Sequence, residues 1–155
     1  MRGLMCVALV AAFMAANAAD TPAPAASADA PNLLGSVGIG VKDLERSIAF
    51  YGDVLGMKVL RRFELGYLNE VVLGFPDGSG ANVVLMNWPQ EGARQYDGNN
   101  VKLVFYVHDP AAVIARIRAH RGRIDREAAP LEALNGTVVG LGRDPDDYVV
   151  ELLGR

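Results

Sequence analysis

Cysteine and histidine are scarce in this sequence, and their scarcity limits the chemistry available to it. The 155 residues include one cysteine and two histidines. Cys6 lies in an apolar run at the start of the chain, so the remainder has no thiol for a disulfide or a metal. His108 is predicted at a strand end beside a helix cap, and His120 in the last turn of a helix. Both positions favour structural roles over metal binding.

Strong charge of one sign is also missing. The net charge is −3 and 21% of the residues are charged, which excludes a nucleic-acid partner, since that would require a basic face. Several arginines lie in residues 116–126 with acidic residues interspersed, and we expect a solvated helix face and loop there. The hydrophobic content of 51% indicates a globular domain.

No hydrophobic run is long enough to span a bilayer, which takes ~20 residues. The run at residues 4–15 follows Arg2 and precedes the small residues Ala16-Asn17-Ala18. This pattern is typical of a signal peptide cleaved near Ala18, or one residue later; a buried N-terminal helix is the alternative. We therefore expect a signal peptide at 1–18, a flexible Pro/Ala linker at 19–32, and a secreted or periplasmic protein that leaves the membrane after cleavage.

The rest of the sequence repeats one pattern of strand, helix and strands. Residues 34–41 alternate as a strand does, residues 44–55 have helical spacing, and the same order begins again near residue 100. Three residues that mark the end of a strand and the two ends of a helix recur 66 positions later. Val41, Asp43 and Gly56 correspond to Val107, Asp109 and Gly122. Such a repeat indicates duplication. It predicts one domain, 33–155, with modules at about 33–88 and 100–155.

Two stretches resemble a known family. VKDLERSIAFYGDVLGMKVLRR (41–62) resembles the first module of the vicinal oxygen chelate superfamily, which includes glyoxalase I, bleomycin-resistance proteins and extradiol dioxygenases. RDPDDYVVELL (143–153) resembles the closing strand of that family. The resemblance implies an α+β fold of two tandem βαβββ modules whose curled mixed sheets surround a cavity. It also implies a homodimer.

Metal-dependent members of this family hold one divalent ion with four side chains, one each from the first and last strands of both modules. The matching positions in this sequence are Ser36, Val84, Lys102 and Glu151. Only Glu151 is a ligand type, because an ammonium group has no lone pair and repels a cation. The resemblance thus leads us to expect no metal ligand set and no cofactor, with a divalent metal disfavoured.

Lys102 lies on a strand whose other face is wholly apolar, and two explanations stand. Its ammonium either takes the place of the ion and pairs with Glu151, or extends to solvent at the strand end. In the first case both residues are candidate catalytic groups. Their neighbours suggest a small-molecule pocket, with core packing as the alternative. The predicted ligand-binding residues are Ser36, Gly38, Val84, Met86, Lys102, Tyr106 and Glu151.

Three functions stay open at this stage. Loss of the ligand types favours a metal-free, exported protein that binds a small molecule, as bleomycin-resistance proteins do. The alternative is a lyase of glyoxalase type, or a related isomerase or dioxygenase, in which Glu151 transfers a proton with or without a divalent metal. The third is a partner-binding module without catalysis. Trp88 and Tyr96, between the modules, either cover the cavity or anchor their loop.

Overall fold

Two modules with the same order of elements make up the described part of the chain. The structure is a computed structural model that describes residues 32–92 and 94–155, and Leu33–Arg155 forms one compact unit. The predicted signal peptide and nearly all of the predicted linker lie outside these residues, and both stay predictions. No helix within the described ranges is long and apolar enough to cross a membrane.

The first module is built as its sequence predicts. Asp43 caps its helix, and the carboxylate accepts the Arg46 amide at 3.0 Å. Gly56 ends the helix in a left-handed conformation with φ of 78°, which favours glycine. The elements are β1 (Ser36–Gly40), α1 (Leu44–Leu55), β2 (Lys58–Glu64), β3 (Asn69–Gly74) and β4 (Asn82–Asn87).

The second module repeats this order of strands and helix, with a 3-10 helix added after its second strand and a different end to its α-helix. Its elements are β5 (Lys102–Val107), α2 (Pro110–Ala119), β6 (Ile124–Leu131), a 3-10 helix (Glu132–Leu134), β7 (Thr137–Arg143) and β8 (Val149–Gly154). Asp109 caps α2 as predicted, but the predicted helix end at Gly122 is wrong. The left-handed residue is Arg121, with φ of 60°. Gly122 is needed for space instead, since a Cβ there would lie 2.6 Å from Ile117 Cγ2.

Each module forms its own four-stranded mixed sheet. The strand orders are β1-β4-β3-β2 and β5-β8-β7-β6. In both sheets the first strand pairs in parallel with the last, and the other pairs are antiparallel. The predicted α+β class with two βαβββ modules is confirmed, and the sheets are not closed.

The two faces of each sheet have different environments. One face packs against the helix of its module, and side chains from both modules join in one apolar core. Successive strand residues point to opposite faces, so the alternate positions define a second face turned away from the helices, called here the open face. On β4, for example, Val83 and Leu85 are buried in the core, whereas Val84 and Met86 lie on the open face and are half-buried.

The two modules are joined at a polar junction between α1 and the loop from Asp144 to Tyr148. Tyr51 Oη donates to Asp144 Oδ2 at 2.9 Å, and Ser47 Oγ lies 3.4 Å from Asp146 Oδ2. Arg46 Nη2 donates to the Pro145 carbonyl at 2.8 Å. Hydrogen bonds therefore fix the loop before β8, and with it the start of that strand, against the first module.

Candidate functional site

The predicted site residues divide between the two open faces. Cross-strand partners share a face, and Gly38 is the partner of Val84, as Val104 is of Glu151. The first sheet therefore presents Ser36, Gly38, Val84 and Met86, and the second presents Lys102, Tyr106 and Glu151. Both sets belong to the paired first and last strands of their module, as strand parity predicts. Their role in binding stays a prediction.

Lys102 and Glu151 form an ion pair on the open face of the second sheet. Lys102 Nζ lies 2.7 Å from Glu151 Oε2, and the exposed side-chain fractions are 50% and 15%. Of the two explanations for Lys102, the structure shows the pairing with Glu151, on a side chain that is still half exposed. The arrangement places a carboxylate, able to accept a proton, directly beside a fixed positive charge that water and a ligand can approach.

Glycines on β1 leave room that neighbouring side chains fill. A Cβ on Gly38 would lie 3.0 Å from Met86 Cε, and one on Gly40 would lie 2.4 Å from Tyr96 Cε1. The Tyr96 ring thus covers the Gly40 end of the open face. Two neighbours of Tyr96 hold this segment in place: Asp97 pairs with Lys42 at 3.3 Å, and the Gly98 amide donates to Asp147 at 3.3 Å.

Trp88, the other aromatic residue of this connection, has a different environment. The Arg94 guanidinium lies over its ring, 3.9 Å from the centroid. Arg94 in turn pairs with Glu91. This aromatic residue therefore belongs to a local cation–π contact of its own loop.

A groove of about 790 Å³ lies between the modules, along β5 and the start of β4. This volume is in the range of sites for small molecules. Two predicted site residues, Lys102 and Tyr106, line it, whereas Glu151 does not. Ionisable side chains also line it, from Asp77, His108, Arg116 and Arg155. The groove and the Glu151 face therefore meet at the ion-paired lysine.

Buried acid groups at the junction escaped the sequence reasoning. Asp144 is 4% exposed and Asp146 is fully buried. Burial raises the pKa of Asp144 to about 6, although hydrogen bonds from Tyr51 and from the Tyr148 and Asp146 amides oppose the shift. Burial, and then the Asp144 charge, raises the pKa of Tyr51 well above its ordinary value. The only sequence signal was the DPDD run, which is also typical of an exposed turn.

The donor set at the four family positions does not fit a divalent metal. The positions carry a hydroxyl, an isopropyl group, an ammonium and a carboxylate, and only the last is a good ligand for a divalent cation. Within residues 32–92 and 94–155, no three or more His, Cys, Asp or Glu side chains are grouped to hold a metal ion. These four side chains therefore do not form a site for a divalent ion.

The chain belongs to the Glyoxalase/Bleomycin resistance protein/Dioxygenase superfamily, whose family model matches residues 33–152. A lactoylglutathione lyase of Salmonella typhimurium is 38% identical over 119 residues, which cover 73% of this chain and 85% of that protein. The solved trypanothione-dependent glyoxalase I of Leishmania major is 31% identical, with a TM-score of 0.67, and the match covers 80% of this chain and 87% of that one.

Another solved relative is a longer protein. Glyoxalase I from Zea mays has a TM-score of 0.68 and 27% identity, and the match covers 79% of this chain but only 44% of that one. This chain therefore spans less than half of the maize protein. These comparisons support the glyoxalase-type alternative better than the simple binding protein that the ligand positions favoured.

The prediction that no cofactor is expected is wrong. The curated relatives at 33–38% identity are lactoylglutathione lyases, which are metal-dependent enzymes. The prediction was made from four positions only, and the relatedness of the whole domain outweighs it. The unsuitable donor set is a property of those four positions only.

Proposed function

We propose that this chain is a glyoxalase-type lyase that acts on a small molecule at the Lys102–Glu151 pair. The first substrate to test is the hemithioacetal of glutathione and a 2-oxoaldehyde, with lactoylglutathione as the product. The observation that carries the proposal is the 2.7 Å pair on the open face of β5 and β8, within a chain related to lactoylglutathione lyases. Related isomerase or dioxygenase reactions are the neighbouring possibilities within the same family.

The chemistry asked of the pair is a proton transfer next to a carbonyl group. Glu151 accepts a proton from the carbon beside the carbonyl, and the bonding electrons move onto the carbonyl oxygen to give an enediolate. Lys102 lies where its ammonium can stabilise that negative charge. Glu151 then returns the proton to the former carbonyl carbon, and the hydroxyl proton of the hemithioacetal passes to the oxygen on that carbon. These transfers complete an isomerisation to the 2-hydroxy acyl thioester. Any divalent metal would act beside these groups, and the assay below determines its contribution.

The test is a thioester assay on the purified domain. Glutathione and a 2-oxoaldehyde are mixed, and the absorbance of the lactoylglutathione formed is followed with the chelated protein and after addition of Ni²⁺, Zn²⁺, Mn²⁺ or Fe²⁺. Turnover that is lost in Glu151→Gln and retained in Glu45→Gln supports the proposal. Glu45 is a suitable control because it pairs with Arg62 near the start of α1, away from the open face. No turnover with or without any metal rejects it.

Binding without turnover is the second candidate function. It is favoured by the apolar neighbours of Glu151, since Val104 on the paired strand is 42% exposed and Tyr106 is 63% exposed. Exposed apolar side chains beside a charged pair suit an amphipathic ligand. Titration calorimetry with lactoylglutathione, combined with the thioester assay, distinguishes the two functions, because a protein that only binds gives heat of binding and forms no thioester from glutathione and the 2-oxoaldehyde.

Assembly as a homodimer is part of the proposal. The exposed apolar residues of the second sheet have counterparts on β2, where Leu60 is 50% exposed and Phe63 is 39% exposed. Exposed apolar side chains on both sheets support a surface that another chain covers. Light scattering during gel filtration is expected to give twice the mass of one chain. A monomer that exposes the same surface would instead agree with the third candidate, a module that binds another protein.

Export is proposed from the sequence alone. The run of apolar residues at 4–15, followed by small residues, supports a signal peptide of residues 1–18. The mature protein would then act outside the cytoplasm, in the periplasm or the medium. Mass spectrometry of the expressed full chain checks this, with Ala19 expected as the new N-terminus and an intact residue 1 as the contrary result.

A further inference from the structure

Arg126 lies on the same open face as Glu151, two strands away. In the register of the second sheet Arg126 is the partner of Leu141, and Leu141 is the partner of Glu151. Cross-strand partners point to the same side of a sheet, with strands ~4.8 Å apart. The backbones of Arg126 and Glu151 are therefore separated by about 9.5 Å, and the Leu141 side chain lies between them. The solvated helix face and loop expected at residues 116–126 is thus wrong at its end, because residues 124–126 belong to β6.

Two irregularities in β6 give Arg126 this orientation. The register shifts between Ile124 and Arg126, and again between Arg126 and Ala129. Ile124 packs against the helix-side core, so strict alternation would have turned Arg126 to the same side. A β-bulge re-aims side chains and is enriched beside active sites. Contacts of Glu127 support this orientation, because it pairs with Arg118 of α2 on the helix side.

The guanidinium of Arg126 lacks an acidic partner, unlike its neighbours. Arg118, Arg123 and Arg143 each pair with an aspartate or glutamate. Arg126 forms none of the ion pairs found among residues 32–92 and 94–155. Its Nη2 reaches the Pro130 carbonyl only at 3.5 Å, and its Nε is buried without a hydrogen-bond partner in the described part of the chain. A half-buried charge with unmet donors is costly unless something else satisfies it.

We propose that Arg126 binds an oxyanion, a carboxylate or a phosphate, at the far end of the ligand that reacts at Glu151. This inference rests on the proposed function and names the class of its substrate. A planar guanidinium binds either oxyanion through paired, charge-assisted hydrogen bonds. The ligand is then an amphipathic anion: its reacting carbon lies at Glu151, its middle crosses Leu141, and its negative group lies at Arg126.

The experiment observes Arg126 itself, independently of turnover. In the ¹⁵N-labelled domain, the Nε–H signal of Arg126 is assigned as the one that Arg126→Gln lacks. Sodium acetate and inorganic phosphate are then titrated separately at constant ionic strength, into the wild type and into Glu151→Gln. We expect a saturable shift of the Arg126 signal in both proteins, while the Arg118 signal stays constant. The oxyanion that saturates at lower concentration identifies the ligand group.

The outcomes separate this inference from the proposed function. If neither anion shifts the Arg126 signal at millimolar concentrations, or if Arg118 shifts equally, the oxyanion site is wrong. If the anions bind but lactoylglutathione is neither bound nor formed, the oxyanion site is retained and the proposed glyoxalase reaction is rejected. For a bound ligand, Arg126→Gln is expected to weaken affinity by about tenfold or more, and Arg126→Lys to restore part of it. Equal affinity in wild type and Arg126→Gln contradicts the inference.

Discussion

The paired first and last strands of the two modules have opposite characters, although the modules arose from one pattern. In the first module the open face of β1 and β4 carries Ser36, Gly38 and two apolar side chains, and aromatic or thioether groups fill its space. In the second module the equivalent strands carry Lys102 and Glu151, joined at 2.7 Å. On these strands, the first module therefore contributes small and apolar side chains, and the second contributes the charged pair.

The difference shows how duplication allows the two copies to diverge. Glycine at position 40 corresponds to tyrosine at position 106, and valine at position 84 to glutamate at position 151. A site built from two equivalent halves needs reactive groups only once, so the other half is free to change its size. Each of the following predictions compares equivalent positions of the two modules, and the expected effect decreases from one to the next.

Replacing the single carboxylate of the paired strands is expected to have the largest effect. Glu151→Gln removes the proton acceptor while keeping the shape, so kcat is expected to fall about 100-fold or more. Val84→Gln, at the equivalent position, is expected to alter KM more than kcat because it changes the wall of the site. Steady-state kinetics on both variants measures this, and similar losses of kcat would mean that the chemistry is not confined to the second module.

Asp144 is expected to make stability depend on pH in a way that Asp77 does not. Burial raises the folded-state pKa of Asp144 from 3.8 to about 6. The contribution of Asp144 to the free energy of unfolding is therefore greatest below pH 4 and is lost as the pH rises through 6. The loss amounts to about 3 kcal/mol at most. Asp144→Asn is expected to remove it. The measurement is urea unfolding from pH 4 to 7.

Asp77, in the equivalent turn of the first module, provides the control for this pH dependence. It is fully exposed, and a hydrogen bond from the Ser79 amide lowers its pKa from 3.8. The contribution of Asp77 to the free energy of unfolding is therefore present above pH 4 and lost below it, outside the pH range in which Asp144 changes stability. Asp77→Asn should leave the slope between pH 4 and 6 as in the wild type. A wild-type slope that persists in Asp144→Asn would show that another group is responsible.

Gly40→Ala is expected to destabilise the first module by about 1–3 kcal/mol, because the new methyl group would overlap the Tyr96 ring. Tyr106→Ala, at the equivalent position, is expected to change the free energy of unfolding by less than about 0.5 kcal/mol, since that side chain is 63% exposed. Denaturant unfolding measures both. The double variant Gly40→Ala/Tyr96→Ala should lose less stability than the two single variants lose together. Additive losses would mean that the new methyl group does not overlap the Tyr96 ring.

The Lys102–Glu151 pair is expected to contribute little to stability. Lys102 is half exposed, and such pairs are worth about 0–1 kcal/mol. Lys102→Gln should therefore unfold at nearly the wild-type urea concentration, as should Ser36→Gln at the equivalent position of the first module. A loss well above 1 kcal/mol for Lys102→Gln alone would assign the pair a structural rather than a functional role.

Local chemistry explains which features could be predicted from the sequence. Asp43 and Asp109 cap their helices through hydrogen bonds within three residues, so their pattern is sufficient. Strand parity placed Lys102 on the side of Glu151 because the first and last strands pair without irregularity. These signals are short-range or strictly periodic, so they can be recognised from neighbouring residues in the sequence alone.

The features that could not be predicted depend on distant contacts or broken periodicity. Arg126 is on the open face only because two register shifts interrupt the alternation of β6. Gly122 serves close packing against Ile117 rather than a helix end. Asp144 and Asp146 are buried because α1 of the other module covers a loop that would otherwise be a polar turn. No local signal in the sequence distinguishes any of these arrangements from the simpler one.

The parallel pairing of first and last strands has a consequence for synthesis on the ribosome. In each sheet the strand made last is an inner strand, between the first strand and the third. Neither sheet can be completed until that strand has emerged, and the loop to be closed spans the whole module. The first module can therefore be finished while the second is still being translated. Glu151 arrives with the last strand of the second sheet, so the Lys102–Glu151 pair exists only once that sheet is complete.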